Sequence, residues 1–211
     1  MKPVIAAAAA LMLVMPTMSG ASSIPSNGIL KFDVLRDGTP VGSHTIAFSD
    51  GGQSVDIKTD IAVKMLFVTV YRFEHNSHET WRGDQLVALE SKTNEDGTDH
   101  TLSVKAGDAA LNIVGDGVTS SADPSIVPAS LWREETVRQN KLLNTLKGTQ
   151  MKISVTDAGN ENIEAGGKTV TAHHYVLKGD LARELWYGSN GVLEQVRFSG
   201  KDGSNIVYHL E

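Results

Sequence analysis

Apolar and polar side chains alternate along most of this chain, and Gly, Asp and Asn pairs interrupt the alternation at short intervals. A period of two is typical of strands with one buried and one solvated face. Asp-Gly and Asn-Gly pairs favour the tight turns that join such strands. Val55, Ile57 and Ile61, for example, occupy odd positions, whereas Asp56 and Asp60 occupy even ones. The sequence therefore predicts a mainly β protein in which consecutive strands pair antiparallel.

Residues 55–73 form the longest alternating run, and this length is itself a constraint. Straight strands advance about 3.3 Å per residue, so the run would reach roughly 60 Å, which is longer than a compact domain of this size allows. The run must therefore bend or break, and a bulge or a sharp coil over residues 65–69 would let one strand leave one half of a sheet and enter the other.

Residues 65–71 carry apolar side chains at even as well as odd positions, since Leu66, Val68 and Val70 join the apolar set. This segment has two interpretations. It forms the apolar wall of a ligand trough, or it is a strand whose second face is covered by another part of the chain. Covering by residues 123–146 is the favoured interpretation.

Residues 123–146 lack strand alternation. Asp123 followed by Pro124 is typical of a helix start, and Pro128 can begin a second helix. We expect one or two short helices here, which plug one opening of a strongly curved antiparallel sheet. That sheet is a half-open barrel or two packed sheets. A single β-rich domain is predicted for residues 29–211, preceded by a flexible lead over residues 22–28.

The first 21 residues have the organisation of an export signal. Lys2 supplies a positive start, residues 4–15 are apolar, and Ser19-Gly20-Ala21 places small residues before a cleavage site. The apolar run is shorter than the roughly 20 residues that a membrane-spanning helix needs. We expect cleavage between Ala21 and Ser22, a periplasmic location, and no transmembrane segment in the mature chain.

Charge and cysteine content exclude several classes of function. Loss of Lys2 with the leader leaves 18 basic and 25 acidic residues, a formal charge of −7. Nucleic acid is an unsuitable partner for such a surface, and anionic lipid headgroups gain no overall electrostatic attraction. The chain has no cysteine, which excludes disulfides, thiolate metal sites and a cysteine nucleophile.

Histidines and carboxylates offer candidate sites that fail on spacing. His75 and His78 would point to opposite faces of one strand, and His75 and Glu79 share a face but stand about 13 Å apart along it. The sequence also lacks the motifs of serine hydrolases and zinc peptidases. We therefore assign no metal, no cofactor and no catalytic residue.

Aromatic residues are 6% of the chain, so each tryptophan is either a core anchor or part of a cavity wall, and the core is favoured. The residues that a ligand trough would use are Leu66, Val68, Val70, Trp132 and Trp186.

Three segments together resemble a family of exported proteobacterial proteins of unknown function. They are residues 35–48 with Arg-Asp-Gly-Thr-Pro-Val-Gly, residues 127–132 with Val-Pro-Ala-Ser-Leu-Trp, and residues 179–204 with Glu-Leu-Trp-Tyr. The resemblance covers most of the mature chain and implies an all-β periplasmic protein with a strongly curved antiparallel sheet. It supplies no catalytic residues.

Three functions follow from this sequence as expectations. The first is a non-enzymatic envelope protein that binds an apolar or amphipathic ligand, such as a lipid, in a β trough. The second is an envelope assembly module that recruits a partner protein through an exposed strand edge. The third and weakest is a hydrolase of envelope glycan. A large apolar cavity would favour the first function, and a filled core with an uncovered edge would favour the second.

Overall fold

A computed structural model describes residues 24–65 and 68–211, and 69% of these described residues lie in strands. Fifteen strands form one sheet that does not close. They are β1 Ile29–Arg36, β2 Thr39–Ser49, β3 Ser54–Met65, β4 Val68–Arg82, β5 Gln85–Glu95, β6 Thr98–Ala106, β7 Leu111–Gly115, β8 Val118–Ala122, β9 Val127–Pro128, β10 Lys141–Leu143, β11 Gln150–Ala165, β12 Lys168–Gly179, β13 Arg183–Gly188, β14 Leu193–Ser199 and β15 Asn205–Leu210. The predicted fold class, mainly β with a curved antiparallel sheet, is confirmed.

The strand order is a meander that turns back on itself. β1 to β8 follow one another to one end of the sheet, and β15 back to β9 follow one another to the other end, with β1 paired to β15 in the middle. All pairs are antiparallel except β9 with β10. The Asp37-Gly38 turn shows why consecutive strands pair, because both residues adopt the positive φ of a tight hairpin, 49° and 79°.

β2 and β3 approach each other closely at Gly42, which is paired with Ile61. A Cβ on Gly42 would stand 2.0 Å from the carbonyl oxygen of Asp60, so only glycine permits this approach. A bulge between Val34 and Leu35 lies beside it in β1. Together these features curl the sheet so that one face becomes an interior.

The interior holds one main core that includes Phe32, Ile46, Leu89, Leu185 and Tyr187. Their burial follows the predicted alternation, because Val55 and Ile57 are buried while Asp56 and Asp60 are exposed. Ile24, which precedes β1, also packs against this core.

The expected bend over residues 65–69 is wrong in kind. The chain does not pass through a bulge into another part of the sheet but reverses, so that β3 and β4 pair antiparallel from Ser54↔Thr80 to Met65↔Val68. The pattern concealed the turn because no Gly, Asp or Asn stands between the two strands. Two paired strands of 12 and 15 residues therefore replace the single long strand that the alternation indicates.

Residues 123–146 contain a single 3₁₀ helix, Glu134–Arg138, together with the short strands β9 and β10. Strands of two or three residues are too short to show alternation, so the sequence pattern does not predict β9 and β10. This segment does not cover Val68 and Val70, which are 63% and 47% exposed, and the favoured interpretation of a covered face is wrong for them. No helix in the described ranges is both long and apolar enough to cross a membrane.

The predicted leader, residues 1–21, and its cleavage site lie outside the described residues.

Candidate functional site

The interior has a packed end and an open end. At the packed end the indole rings of Trp81 and Trp132 meet edge to face, with centroids 5.8 Å apart, and Phe48 contacts Trp132 in the same way. Trp132 is 3% exposed and therefore belongs to the core rather than to a ligand-accessible wall. The guanidinium of Arg133 lies 4.4 Å from the centroid of the Trp81 ring.

Glu79 is fully buried between these rings. Its Oε2 accepts the indole N–H of Trp81 at 2.9 Å and that of Trp132 at 3.0 Å, while Oε1 has no hydrogen-bond partner in the described part of the chain. Burial raises the pKa of the Glu79 carboxyl, and the indole bonds and the charge of Arg133 oppose that rise. Trp81, Trp132 and Glu79 are each at most 3% exposed, so this end of the interior is closely packed.

A row of polar side chains crosses the interior between the two ends. His44, Thr59, His75, Thr93 and His100 are cross-strand neighbours on β2 to β6, and all are at least 91% buried. Nδ1 of His44 hydrogen-bonds the Thr59 hydroxyl at 2.7 Å, and His75 makes the same bond to Thr93. We call these five residues the polar row.

Burial lowers the pKa of His44 to about 3, with a smaller effect from His75, and lowers that of His75 to about 4. Both rings are therefore neutral near pH 7 and form hydrogen bonds rather than ion pairs. Within residues 24–65 and 68–211, no three His, Asp or Glu side chains are close enough together to hold a metal ion.

Beyond the polar row, apolar side chains on the inner face are only half buried. They are Ile61, Val63, Tyr71 and Phe73 on β3 and β4, with Phe198 and Tyr208 on β14 and β15. The first four belong to neither hydrophobic cluster of the described residues. These six residues define what we call the open end, where Ile61, Val63, Tyr71 and Phe73 offer apolar surface that the core does not use.

An open pocket of about 470 Å³ lies at this end. Tyr71 and His100 form part of its lining, and Lys147 and Lys201 contribute cations. Lys201 forms an ion pair with Glu95 at 2.9 Å, and His100 is bonded to Asp116 at 2.7 Å. The lining thus combines an aromatic side chain with paired charges.

The β3–β4 hairpin projects beside the pocket. β3 pairs with β2 only as far as Ile61, and β4 pairs with β5 only as far as Phe73, so the hairpin continues alone for about four residues, roughly 13 Å. We call residues 62–65 and 68–72 the finger. Its exposed valines, Val68 and Val70, are next to the open end, whereas Leu66 lies outside the described residues.

Trp186 lies elsewhere, on the outer face of β13. A bulge between Asp157 and Gly159 lets the far part of the β11–β12 hairpin cover it, together with Ile163 and Ala172. Its indole N–H donates to Glu161 at 2.8 Å, and His174 stacks on the ring at 4.2 Å. Of the five predicted ligand residues, the structure therefore places Val68 and Val70 together and separates Trp132 and Trp186 from them.

Arg183 is a functional candidate that sequence reasoning missed. It precedes Leu185 and Tyr187 at a spacing of two, and both of those side chains are in the main core, so Arg183 belongs to the inner face. Its guanidinium lies 3.8 Å from the centroid of the Phe198 ring. The sequence does contain a signal for it, because Arg183 stands two residues before Leu185 and therefore on the same face of the strand as these apolar residues.

A second pocket, of about 440 Å³, lies along β8 and is lined by Val118, Ser120, Gly148 and Gln150 among others. β8 is an end of the sheet, and four of its five residues are exposed. Lys147 contributes to both pockets.

Comparison with known proteins supports the fold and the family. No curated protein matches the sequence significantly. A crystal structure described as a beta-barrel-like protein of the domain of unknown function DUF1849, from Brucella abortus, is similar, with a TM-score of 0.57 and 10% identity over 87% of this chain and 96% of that one. The family model described as domain of unknown function DUF6134 matches residues 32–211, and the chain therefore belongs to this family.

Proposed function

We propose that this protein is an exported, non-enzymatic protein of the bacterial envelope that binds an amphipathic molecule at the open end of its sheet. The observation that carries the proposal is the set of half-buried apolar side chains on the inner face, Ile61, Val63, Tyr71 and Phe73, which the two hydrophobic clusters leave unused. Apolar side chains that together form an exposed patch on a soluble domain often mark a binding site for a ligand or partner.

The surroundings of these residues favour an amphipathic ligand over a purely apolar one. The polar row limits the depth of the apolar surface, and the adjacent pocket carries Lys147 and Lys201. Val68 and Val70 extend the apolar surface outward along the finger. A molecule with one apolar and one polar part matches this arrangement.

Hydrolysis of envelope glycan is the weaker alternative. The pocket contains the carboxylates of Glu95 and Asp96 and the ring of His100, but Lys201 holds the Glu95 carboxylate and Asp116 holds the His100 ring. A glycosidase needs two carboxyl groups that face the substrate, one of them able to donate a proton. Because one of the two carboxylates is held in an ion pair, the pocket favours binding over catalysis.

A specific observation also favours the assembly function. β8, Val118–Ala122, is an exposed strand at the end of the sheet and carries no charge and no proline. Charged residues or proline usually protect the edge strands of a sheet, because the free backbone groups of an edge strand can pair with another strand. An extended segment of an envelope partner could add to β8 beside the second pocket.

Fluorescence titration with cis-parinaric acid, a long-chain fatty acid that fluoresces in apolar surroundings, tests ligand binding. We expect saturable uptake by the mature protein. Replacing both Tyr71 and Phe73 by alanine should weaken uptake by about tenfold or more, because each ring contributes on the order of 1.5 kcal/mol of apolar contact.

The matched control replaces Val114 and Val118, which are 44% and 69% exposed on β7 and β8, by alanine. This variant should bind the probe as the unmodified protein does. Circular dichroism verifies that each variant is folded. Absence of saturable uptake by the unmodified protein would refute ligand binding at the open end and leave the assembly function as the stronger proposal.

A further inference from the structure

Arg183 has an unusual environment for a charged side chain. It is half buried on the inner face, with its guanidinium over the Phe198 ring. One of its nitrogens donates to the carbonyl of Ala182 at 2.7 Å, and no carboxylate of the described residues forms an ion pair with it. Burial lowers the pKa of Arg183, because it takes part of the solvation from the charged form.

The nearby carboxylates have other partners. Glu184 lies next to Arg183 in β13, on the opposite face of the strand. Its Oε2 lies 2.7 Å from Nη2 of Arg197 and 3.0 Å from Nε2 of His174. Glu95, at the open end, is paired with Lys201. Buried charges usually have a partner of opposite sign, and Arg183 has none among the carboxylates of the described residues.

Tyr208 connects Arg183 to the open end. Its ring meets that of Phe198 edge to face at 5.8 Å. Burial raises the pKa of Tyr208 to about 12. The charge of Arg183 opposes this rise and Tyr71 adds to it, so both side chains interact electrostatically with Tyr208. The guanidinium is thus next to the half-buried apolar surface rather than isolated from it.

We infer that the ligand of the open end is an anionic amphiphile whose carboxylate or phosphate pairs with Arg183. This inference rests on the proposed function and names the chemical class of its ligand. A guanidinium can donate two parallel hydrogen bonds to either anion, and such bonds are among the strongest in proteins. The apolar part of the ligand lies against Phe198, Tyr208 and Tyr71 and extends toward the exposed valines of the finger.

A pair of probes that differ only in charge tests the inference. cis-Parinaric acid and its methyl ester have the same fluorescent chain, but only the acid carries a carboxylate at neutral pH. We expect the unmodified protein to bind the acid about tenfold or more tightly than the ester, below the concentration at which either probe aggregates.

Arg183→Gln should remove this preference, so that the variant binds acid and ester with similar Kd values close to that of the ester on the unmodified protein. Arg183→Lys retains the charge and should keep part of the preference. Arg138→Gln, a change at an exposed arginine of the 3₁₀ helix, should keep all of it.

The outcomes separate the two proposals. Equal affinity of the unmodified protein for acid and ester refutes the anionic ligand and leaves ligand binding intact. A preference that persists in folded Arg183→Gln refutes the role of Arg183. If neither probe binds, the proposed function itself fails. Were Arg183→Gln unable to fold, the comparison of acid with ester on the unmodified protein and on Arg183→Lys would still decide the question. A phosphate source is distinguished from a carboxylate source by competition with lysophosphatidic acid and with oleate.

Discussion

At the scale of single residues, the interior combines groups that stabilise the fold with groups that it leaves unsatisfied. His44 and His75 are buried, neutral and bonded to threonines, and Glu79 accepts bonds from two indoles. Arg183 differs from these groups because the described chain supplies it with no counter-ion. The half-buried apolar side chains are the reason for placing the ligand at the open end, and Arg183 adds a cation without a counter-ion beside them.

The polar row makes stability depend on pH. The pKa values of His44 and His75, about 3 and about 4, are below the roughly 6.5 of an unfolded histidine. The folded state therefore binds fewer protons between these limits, and the free energy of unfolding falls as the pH falls from about 6.5 to about 4. Each ring contributes up to about 1.4 kcal/mol per pH unit.

Urea unfolding between pH 7.5 and 4.5 measures this dependence, with His44→Asn/His75→Asn as the comparison. The double variant should be less stable at pH 7.5 but should lose less stability on acidification. Glu79, whose pKa burial raises, acts in the opposite direction, so the difference between the two proteins isolates the histidines. Parallel pH profiles would contradict the assignment of neutral buried rings.

At the scale of elements, the finger shows where sequence reasoning succeeded and where it failed. Alternation correctly assigned Val55 and Ile57 to the interior and Asp56 and Asp60 to the outside. It could not reveal the reversal after Met65, because the residues between β3 and β4 are of types that also occur within strands.

The pairing register of the strands could not be predicted from the sequence either. The polar row aligns residues from five strands, and that alignment depends on strand pairing rather than on local sequence. The covering of Trp186 depends on one bulge in β11, which shifts the faces of the hairpin. Arg183 was predictable in part, since its phase with Leu185 and Tyr187 is local.

Two charge substitutions on neighbouring parts of one hairpin test this description of β3 and β4. Val68→Arg should change the free energy of unfolding by no more than about 0.5 kcal/mol, because the side chain is 63% exposed on the finger. Ile57→Asp should cost several kcal/mol, because it buries an unpaired charge at a position that is 4% exposed.

Denaturant titration of both variants gives the comparison, with circular dichroism as the check on secondary structure. Equal and large losses would show that Val68 is covered and that the finger does not project as described.

At the scale of the whole molecule, one curled sheet is packed at one end and open at the other. Trp81, Trp132 and Glu79 occupy the packed end, the polar row crosses the middle, and half-buried apolar residues surround the opening. The similar Brucella structure supports the beta-barrel-like architecture. On this account, the protein binds its ligand at the open end, because the apolar side chains there are not fully buried.

The most direct test of that claim is a nuclear magnetic resonance titration of the ¹⁵N-labelled mature protein with oleate, below the concentration at which oleate forms micelles. We predict saturable shifts of backbone amide signals at Ile61, Tyr71, Phe73, Arg183 and Tyr208, with little change at Glu79 or along β8. Shifts concentrated along β8, or none that saturate, would contradict binding at the open end.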